Sequence, residues 1–287
     1  MLIELDQVTY TYPCTRQPAI AQLSLQIPAH QRCALIGRNG CGKTTLLRLL
    51  NGLYRPQQGQ IYWQGTPLRY DRASLQRLRQ SVGLVFQDPE HQLVATTVEE
   101  DLSYGLYNSG LPTSEIADRV QQALAHFQLT ELADSPVAYL SLGQKRRLAI
   151  ADVMVLRPEL LLLDEPTAYL DPVQVRHLLT LLNRIQAEGT TVMIATHNLE
   201  LAYHWADWIV VMERGQVILV GEPNTVFGQP QLQGEAGLGV PWSVTVLDTI
   251  TATLQEHETI GQDAPAIAAA IHQIRRRLKA QWQQLLP

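Results

Sequence analysis

The most chemically loaded stretch of the chain is Gly37-Arg38-Asn39-Gly40-Cys41-Gly42-Lys43-Thr44, which matches G-x4-G-K-[ST]. Small residues at these spacings let backbone N–H groups curl around phosphate oxygens, and a helix opening at the end of the loop adds positive potential. Lys43 then reaches the β and γ phosphates of a nucleotide, while the Thr44 hydroxyl coordinates Mg²⁺. Cys41 fills a small-residue slot in that loop. A second candidate is Leu160-Leu161-Leu162-Leu163-Asp164-Glu165, a run of leucines that delivers two carboxylates at its end. Phosphoryl transfer needs one carboxylate to hold Mg²⁺ through water and another to polarise the attacking water. Asp164 suits the first role and Glu165 the second. Between the two motifs lies Leu140-Ser141-Leu142-Gly143-Gln144-Lys145-Arg146-Arg147-Leu148-Ala149-Ile150-Ala151, a polar turn that runs into a basic and then apolar helix.

These loops need a scaffold that brings strand ends together, and the hydrophobic pattern supplies one. Cys33-Ala34-Leu35-Ile36 is a short apolar strand, followed by the glycine-rich loop and a helical segment through Leu50, so the motif has the strand-loop-helix context its mechanism demands. Val82 to Phe86, Leu160 to Leu163 and Thr191 to Ala195 are further apolar runs, as expected of parallel strands buried on both faces. Residues 2 to 9 and 20 to 27 alternate apolar and polar and predict two half-buried, antiparallel strands. Residues 97 to 156 read mostly as helices, one of them capped by Thr113 ahead of the stripe Ile116, Val120, Leu124 and Phe127. Asp171-Pro172 predicts a helix start, with Asp as N-cap and Pro in the first helical position. Trp208 to Met212 and Gln216 to Leu219 form a closing pair across Arg214-Gly215. The α/β body ends near Gly228, and residues 229 to 241, rich in Gly, Pro and Gln, read as a linker. Beyond it Ile267, Ile271, Ile274, Leu278, Trp282 and Leu285 recur at spacings of three and four, the apolar face of a helix.

Composition narrows the classes. The 287 residues are 46% hydrophobic and 17% charged, which suits a folded core and not a disordered tract. A net charge of −5 gives the whole molecule no electrostatic footprint for nucleic acid. Three cysteines, Cys14, Cys33 and Cys41, with no CxxC suit a reducing compartment and support neither a disulfide framework nor a zinc site. Glu4 and Asp6 stand where a secretion signal needs positive charge. No run reaches the roughly 18 to 20 apolar residues that cross a bilayer, so any membrane is expected to be reached through a partner. The histidines show no H-x3-H or other ligand spacing, and Mg²⁺ is the only metal expected.

Together, the phosphate loop, the Asp164-Glu165 strand and the Leu140 to Ala151 segment resemble the ABC-type ATPases, whose signature is LSGGQ followed by a basic, apolar helix. The resemblance covers residues 2 to about 228. It implies an α/β P-loop fold with a mostly parallel core sheet, N-terminal antiparallel strands, a helical subdomain at about 88–158, and a small helical extension within 229–287. ATP with Mg²⁺ is the implied cofactor set. Gln87 becomes the Q-loop residue, close to Mg²⁺ with Thr44 and Asp164, and Ala168-Tyr169-Leu170-Asp171 the D-loop. His197 becomes the switch histidine, which contacts the γ phosphate and holds the water activated by Glu165. Ser141, Gly143, Gln144 and Asp171 are implied to serve ATP bound by a second subunit, so that two copies sandwich two nucleotides. Thr45 completes the phosphate contacts, and Tyr12 offers adenine an aromatic face, with Tyr10 as competitor. His30, His126, His177, His204, His257 and His272 read as core or surface residues. Leu142, Tyr169 and Asn198 stand where the family commonly has Gly, Gly and Asp, and Leu142 adds bulk at the dimer seam.

A longer string narrows the resemblance. Phe86-Gln87-Asp88-Pro89-Glu90-His91-Gln92-Leu93, followed by Thr97 to Gly105, is similar to FQNPEDQ…TVEEDVAFG in the ATPase subunits of energy-coupling factor importers, particularly the cobalt and nickel type. This implies an ATPase subunit at the cytoplasmic face of the membrane, powering uptake of a metal ion or vitamin. Its implied partners are a second ATPase subunit, identical or related, a transmembrane coupling protein and a membrane substrate-binding protein. The alternatives are a conventional ABC transporter ATPase subunit and a soluble, non-transport ABC ATPase. A single G-x4-G-K opposes the two-cassette translation type, and the absence of sustained heptads between Thr44 and Asp164 opposes the DNA-maintenance type. The C-terminal helix, with Arg275, Arg276, Arg277 and Lys279, is expected to help hold the dimer.

Overall fold

The computed structural model describes residues 1–13, 15–232, 238–246, 249 and 273–274. The alternating segments form β1 (Ile3–Tyr10) and β2 (Ile20–Ile27), paired antiparallel with Ile3 opposite Ile27 and Tyr10 opposite Ile20. β3 (Arg32–Ile36) runs through the phosphate loop into α1 (Lys43–Leu50). Next come β4 (Gln58–Trp63), the two-residue β5 (Thr66–Pro67) and α2 (Arg72–Ser81), elements absent from the sequence expectations. Their signal is weak for a physical reason: β4 buries only Ile61 and α2 only Leu78, so neither displays a periodic apolar face.

β6 (Val82–Val85) leads into three helices, α3 (Val98–Tyr107), α4 (Thr113–His126) and α5 (Leu142–Met154). Thr113 is not the cap of α4. It is the first helical residue, and Pro112 takes the cap position in extended geometry without a side-chain bond. After α5 the α/β alternation resumes with β7 (Leu160–Asp164), α6 (Pro172–Ala187), β8 (Thr191–Thr196), α7 (Leu199–Trp205), β9 (Trp208–Glu213), β10 (Gln216–Gly221) and α8 (Pro223–Phe227). The Asp171 carboxylate caps α6, accepting from the N–H groups of Val173 and Gln174 at 2.8 and 2.9 Å.

The main sheet runs β10-β9-β3-β8-β7-β6, parallel except for its β10 edge, and a second sheet runs β2-β1-β4-β5. Alternate residues of the parallel strands feed two cores. Ala34, Ile36, Leu161, Leu163, Val192 and Ile194 pack toward α6, α7 and the three-helix insert. Cys33, Leu35, Leu160, Leu162, Met193 and Ala195 pack toward α1 and the antiparallel sheet. A strand covered on both faces must be apolar at every position, which explains why Leu160 to Leu163 are all fully buried. The stretch after Gly228 is tied to the body where it is described: Leu232 is buried, Leu238, Val240 and Val244 rest on the same core, and Ser243 bonds to Glu200. Cys14 and the expected 267–285 helix, apart from Gln273 and Ile274, lie outside the described residues.

Candidate active site

β3, β7 and β8 end together at the C-terminal edge of the sheet, with Ile36 opposite Thr196 and Asp164 opposite Ala195. Open α/β sheets place their ligands at this edge. Two glycines show why the loop after β3 has its composition. At Gly42, φ is +109°, and a Cβ would lie 2.7 Å from the Ala19 carbonyl oxygen; at Gly37 it would lie 2.4 Å from that of Met212. Lys43 crosses the loop, its Nζ donating to the carbonyls of Gly37 at 2.7 Å and Arg38 at 3.4 Å. Cys41 turns inward against Gly37 and is buried, and its carbonyl accepts from the Gly215 N–H at 2.9 Å. Burial pushes its thiol up, with Lys43 pulling the other way.

The Thr44 hydroxyl donates to Asp164 Oδ2 at 2.6 Å. Burial raises the Asp164 carboxyl above its ordinary range; the bond from Thr44 opposes this, the charge of Glu165 adds to it, and Lys43 opposes it. A hydroxyl and a carboxylate in contact, with the Gln87 amide on the same wall, form a set of hard oxygen donors. Such a set suits Mg²⁺, which uses one or two carboxylates together with substrate phosphates. Among the described residues, no group of three or more His, Cys, Asp and Glu side chains gathers to hold a metal ion.

Glu165 departs from the strand. Its φ of +44° lies in the left-handed region, disfavoured for a residue with a Cβ. Two hydrogen bonds hold it there: its N–H donates to the Ala195 carbonyl at 2.9 Å, and its carbonyl accepts from the Ala168 N–H at 3.1 Å. The turned side chain is 11% exposed and meets His197, which is 65% exposed, with Oε1 and Nδ1 2.9 Å apart. A buried carboxylate oriented by an exposed imidazole is an arrangement suited to proton abstraction from water.

One cleft of ≈ 840 Å³ gathers Tyr12, Asn39, Gly40, Gly42, Lys43, Thr44, Thr45, Gln87, Asp164, Glu165 and His197. Gly37, Arg38 and Cys41 form the back of the loop behind it. Of the two tyrosines, Tyr12 faces the cleft, its hydroxyl 3.0 Å from Thr45 Oγ1. Tyr10 is buried and stacked on Tyr54 at 4.8 Å, and both rings meet Tyr12 edge-on. Tyr54, with the Arg48 guanidinium 5.6 Å from its ring centroid, is a supporting residue that no local motif signals.

Ser141, Gly143, Gln144 and Asp171 do not line this cleft. Ser141 and Gln144 form a reciprocal capping box on α5, Ser141 N–H to Gln144 Oε1 at 2.7 Å and Gln144 N–H to Ser141 Oγ at 3.3 Å. A Cβ on Gly143 would lie 2.4 Å from Gln174 Oε1. Leu142 opens α5 in ordinary helical geometry, so it does not need glycine, whereas Tyr169 has φ +63° and is 86% exposed. Asn198 caps α7 by accepting from the Leu201 N–H at 3.0 Å, a task that Asp performs equally well.

Residues 20–168 match the family model described as ABC transporter. The chain belongs to the ABC transporter ATPase family. This ABC ATPase is 57% identical over 258 residues, 90% of its length and 94% of the relative's, to a Nostoc sp. protein provisionally named an ABC transporter ATP-binding protein. It is 39% identical to the energy-coupling factor transporter ATP-binding protein EcfA3 of Clostridium perfringens, over 84% of each chain. A solved structure of cbiO1 from Clostridium perfringens, described as part of the ABC transporter complex cbiONQ, superposes with a TM-score of 0.74 at 38% identity, covering 86% of this chain and 98% of that one. The ABC ATPase binds and hydrolyses ATP, as this family does. Among its described residues no helix is long and apolar enough to cross a membrane.

Proposed function

We propose that the chain is the ATPase subunit of an energy-coupling factor importer, driving uptake of a metal ion of the cobalt or nickel kind, or of a vitamin. The observation that carries this reading is its likeness, over more than four-fifths of its length, to proteins named as energy-coupling factor and cbiO ATPases. The Phe86 to Gly105 string supports it. In this reading the subunit sits at the cytoplasmic face of the membrane, held there by a transmembrane coupling protein and a membrane substrate-binding protein, and works with a second ATPase subunit.

The site geometry supports the following division of labour. Tyr12 flanks adenine, and the N–H groups of the loop from Gly37 to Thr45 cradle the phosphates. Lys43 leaves its carbonyl partners for the β and γ phosphates. Thr44, Asp164 and Gln87 would hold Mg²⁺, which when bound neutralises charge developing on the phosphate oxygens. Glu165 accepts a proton from the attacking water, and His197, already 2.9 Å from that carboxylate, keeps carboxylate and water in line with the γ phosphate. Ser141, Gly143, Gln144 and Asp171 serve the nucleotide of the second subunit, consistent with their place outside their own chain's cleft. Affinity purification from detergent-solubilised membranes tests the importer reading. Recovery of two different membrane proteins, one coupling and one substrate-binding, is the expected result. Recovery of one conventional permease pair, or of no membrane protein, overturns it.

A further inference from the structure

Arg146 lies on α5, downstream of Ser141, and is 2% exposed. Its Nη1 donates to the carbonyls of Gln87 at 2.6 Å and Phe86 at 3.3 Å, and its Nη2 to that of Ala168 at 3.4 Å. Its Nε is buried without a partner. None of the ion pairs among the described residues includes it; the charge of Asp88 only partly offsets a desolvation that pulls its pKa down. A buried cation held by carbonyls alone is costly, and a packing role would be better met by an apolar side chain.

The three carbonyls give the charge a purpose. Gln87 lines the nucleotide cleft, and Ala168 lies in the turn that closes on the Glu165 carbonyl and continues to Asp171. A second strap runs alongside, as Gln92 Oε1 accepts from the Phe86 N–H at 3.2 Å and its Nε2 donates to the Ala149 carbonyl at 2.7 Å. The helix that begins at Ser141 is therefore fastened to the residues that face the chain's own nucleotide. We propose that Arg146 is a positioning residue: by holding the signature helix to the carbonyls of Gln87 and Ala168, it fixes where Ser141 and Gly143 stand relative to Gln87 and the Glu165-to-Asp171 turn of the same chain. The proposal rests on the roles given above to Gln87, Glu165 and Ser141.

The test measures kcat, KM, binding of a fluorescent ATP analogue and thermal melting for Arg146→Met and Arg146→Lys. Gln87→Ala, its combination with Arg146→Met, and Glu165→Gln run in parallel. Arg146→Met should lower kcat about ten- to a hundredfold, the scale of a small misplacement near reacting groups, and leave analogue affinity within about threefold. Arg146→Lys should recover part of kcat, because an ammonium still reaches a carbonyl. The double variant should lose less than the product of the single losses, as expected of residues acting together. Wild-type kcat in Arg146→Met overturns the proposal, as do multiplicative losses with Gln87→Ala. So does parallel loss of affinity, kcat and melting temperature in both Arg146 variants, the mark of a merely structural residue. If Arg146→Met does not fold, Arg146→Lys against Gln87→Ala gives the same cycle. Retained turnover in Glu165→Gln would instead refute the site roles, whatever Arg146 does.

Discussion

Asp164 and Glu165 are neighbours with similar chemistry, and backbone geometry gives them different partners. Asp164 ends β7 in regular strand geometry and meets Thr44, whereas Glu165, at φ +44°, swings to His197. Replacing Glu165 by Gln keeps the shape and a hydrogen-bonding oxygen for His197 but removes the base. Hydrolysis should fall by about 10²- to 10⁴-fold, the usual contribution of a general base, while ATP binding persists and an ATP-bound dimer accumulates on size exclusion. Turnover near that of the wild type would contradict the assignment. Cys41 shows the reverse relation between position and role: it sits inside the phosphate loop yet turns its thiol into the core.

At the scale of elements, the helical insert carries an acidic cluster that makes its packing depend on pH. Asp101 on α3 is buried, with Oδ1 accepting from the N–H groups of Val94 and Ala95 at 2.9 and 2.8 Å. Across from it, burial and then the charge of Asp101 push the Asp152 carboxyl on α5 up to about 7, with Gln92 opposing. The folded chain therefore binds this proton more tightly than the unfolded chain. Stability is fully present below the unfolded value near 4 and is lost as pH rises through about 7. Asp152→Asn should remove most of this dependence, stabilising the protein at pH 8 by on the order of a few kcal/mol. Thermal melts at pH 5 and pH 8 decide it: equal pH shifts in wild type and variant would refute the role of Asp152. α5 thus carries both the Asp152 contact and the Arg146 strap, which ties the insert's packing to the nucleotide edge.

At the scale of the whole molecule, the chain holds a phosphate cleft and presents its signature residues away from it; under the roles proposed above, a second subunit completes the catalytic unit. Leu142 and Tyr169 bring bulk to the groove beside the cleft. Because Leu142 is helical, Leu142→Gly costs fold stability about 1 kcal/mol through helix propensity and relieves no backbone strain. Its benefit should appear only in the assembly, as faster ATP-dependent dimer closure in a Glu165→Gln background and a higher kcat in the wild-type background. Unchanged or slower closure would show that Leu142 fits the seam without hindrance.

Local demands on the backbone were legible in the residues themselves. A loop curling around phosphate needs glycine at Gly37 and Gly42, a strand buried on both faces must be apolar throughout, and Asp171-Pro172 starts a helix from its own neighbours. The phosphate loop, the Asp164-Glu165 pair and most strands of the main sheet follow from such short-range rules, whereas β4, β5 and α2, with few buried positions, do not. Tertiary structure decided what depends on residues distant in the chain. It turned Tyr12 to the cleft while stacking Tyr10 on Tyr54, joined Glu165 to His197 through adjacent strand ends, and buried Arg146 among carbonyls from two other segments. Glycine and apolar patterns report the conformation of their own segment; the partner of a side chain is set by which faces the packed sheet and helices bring together.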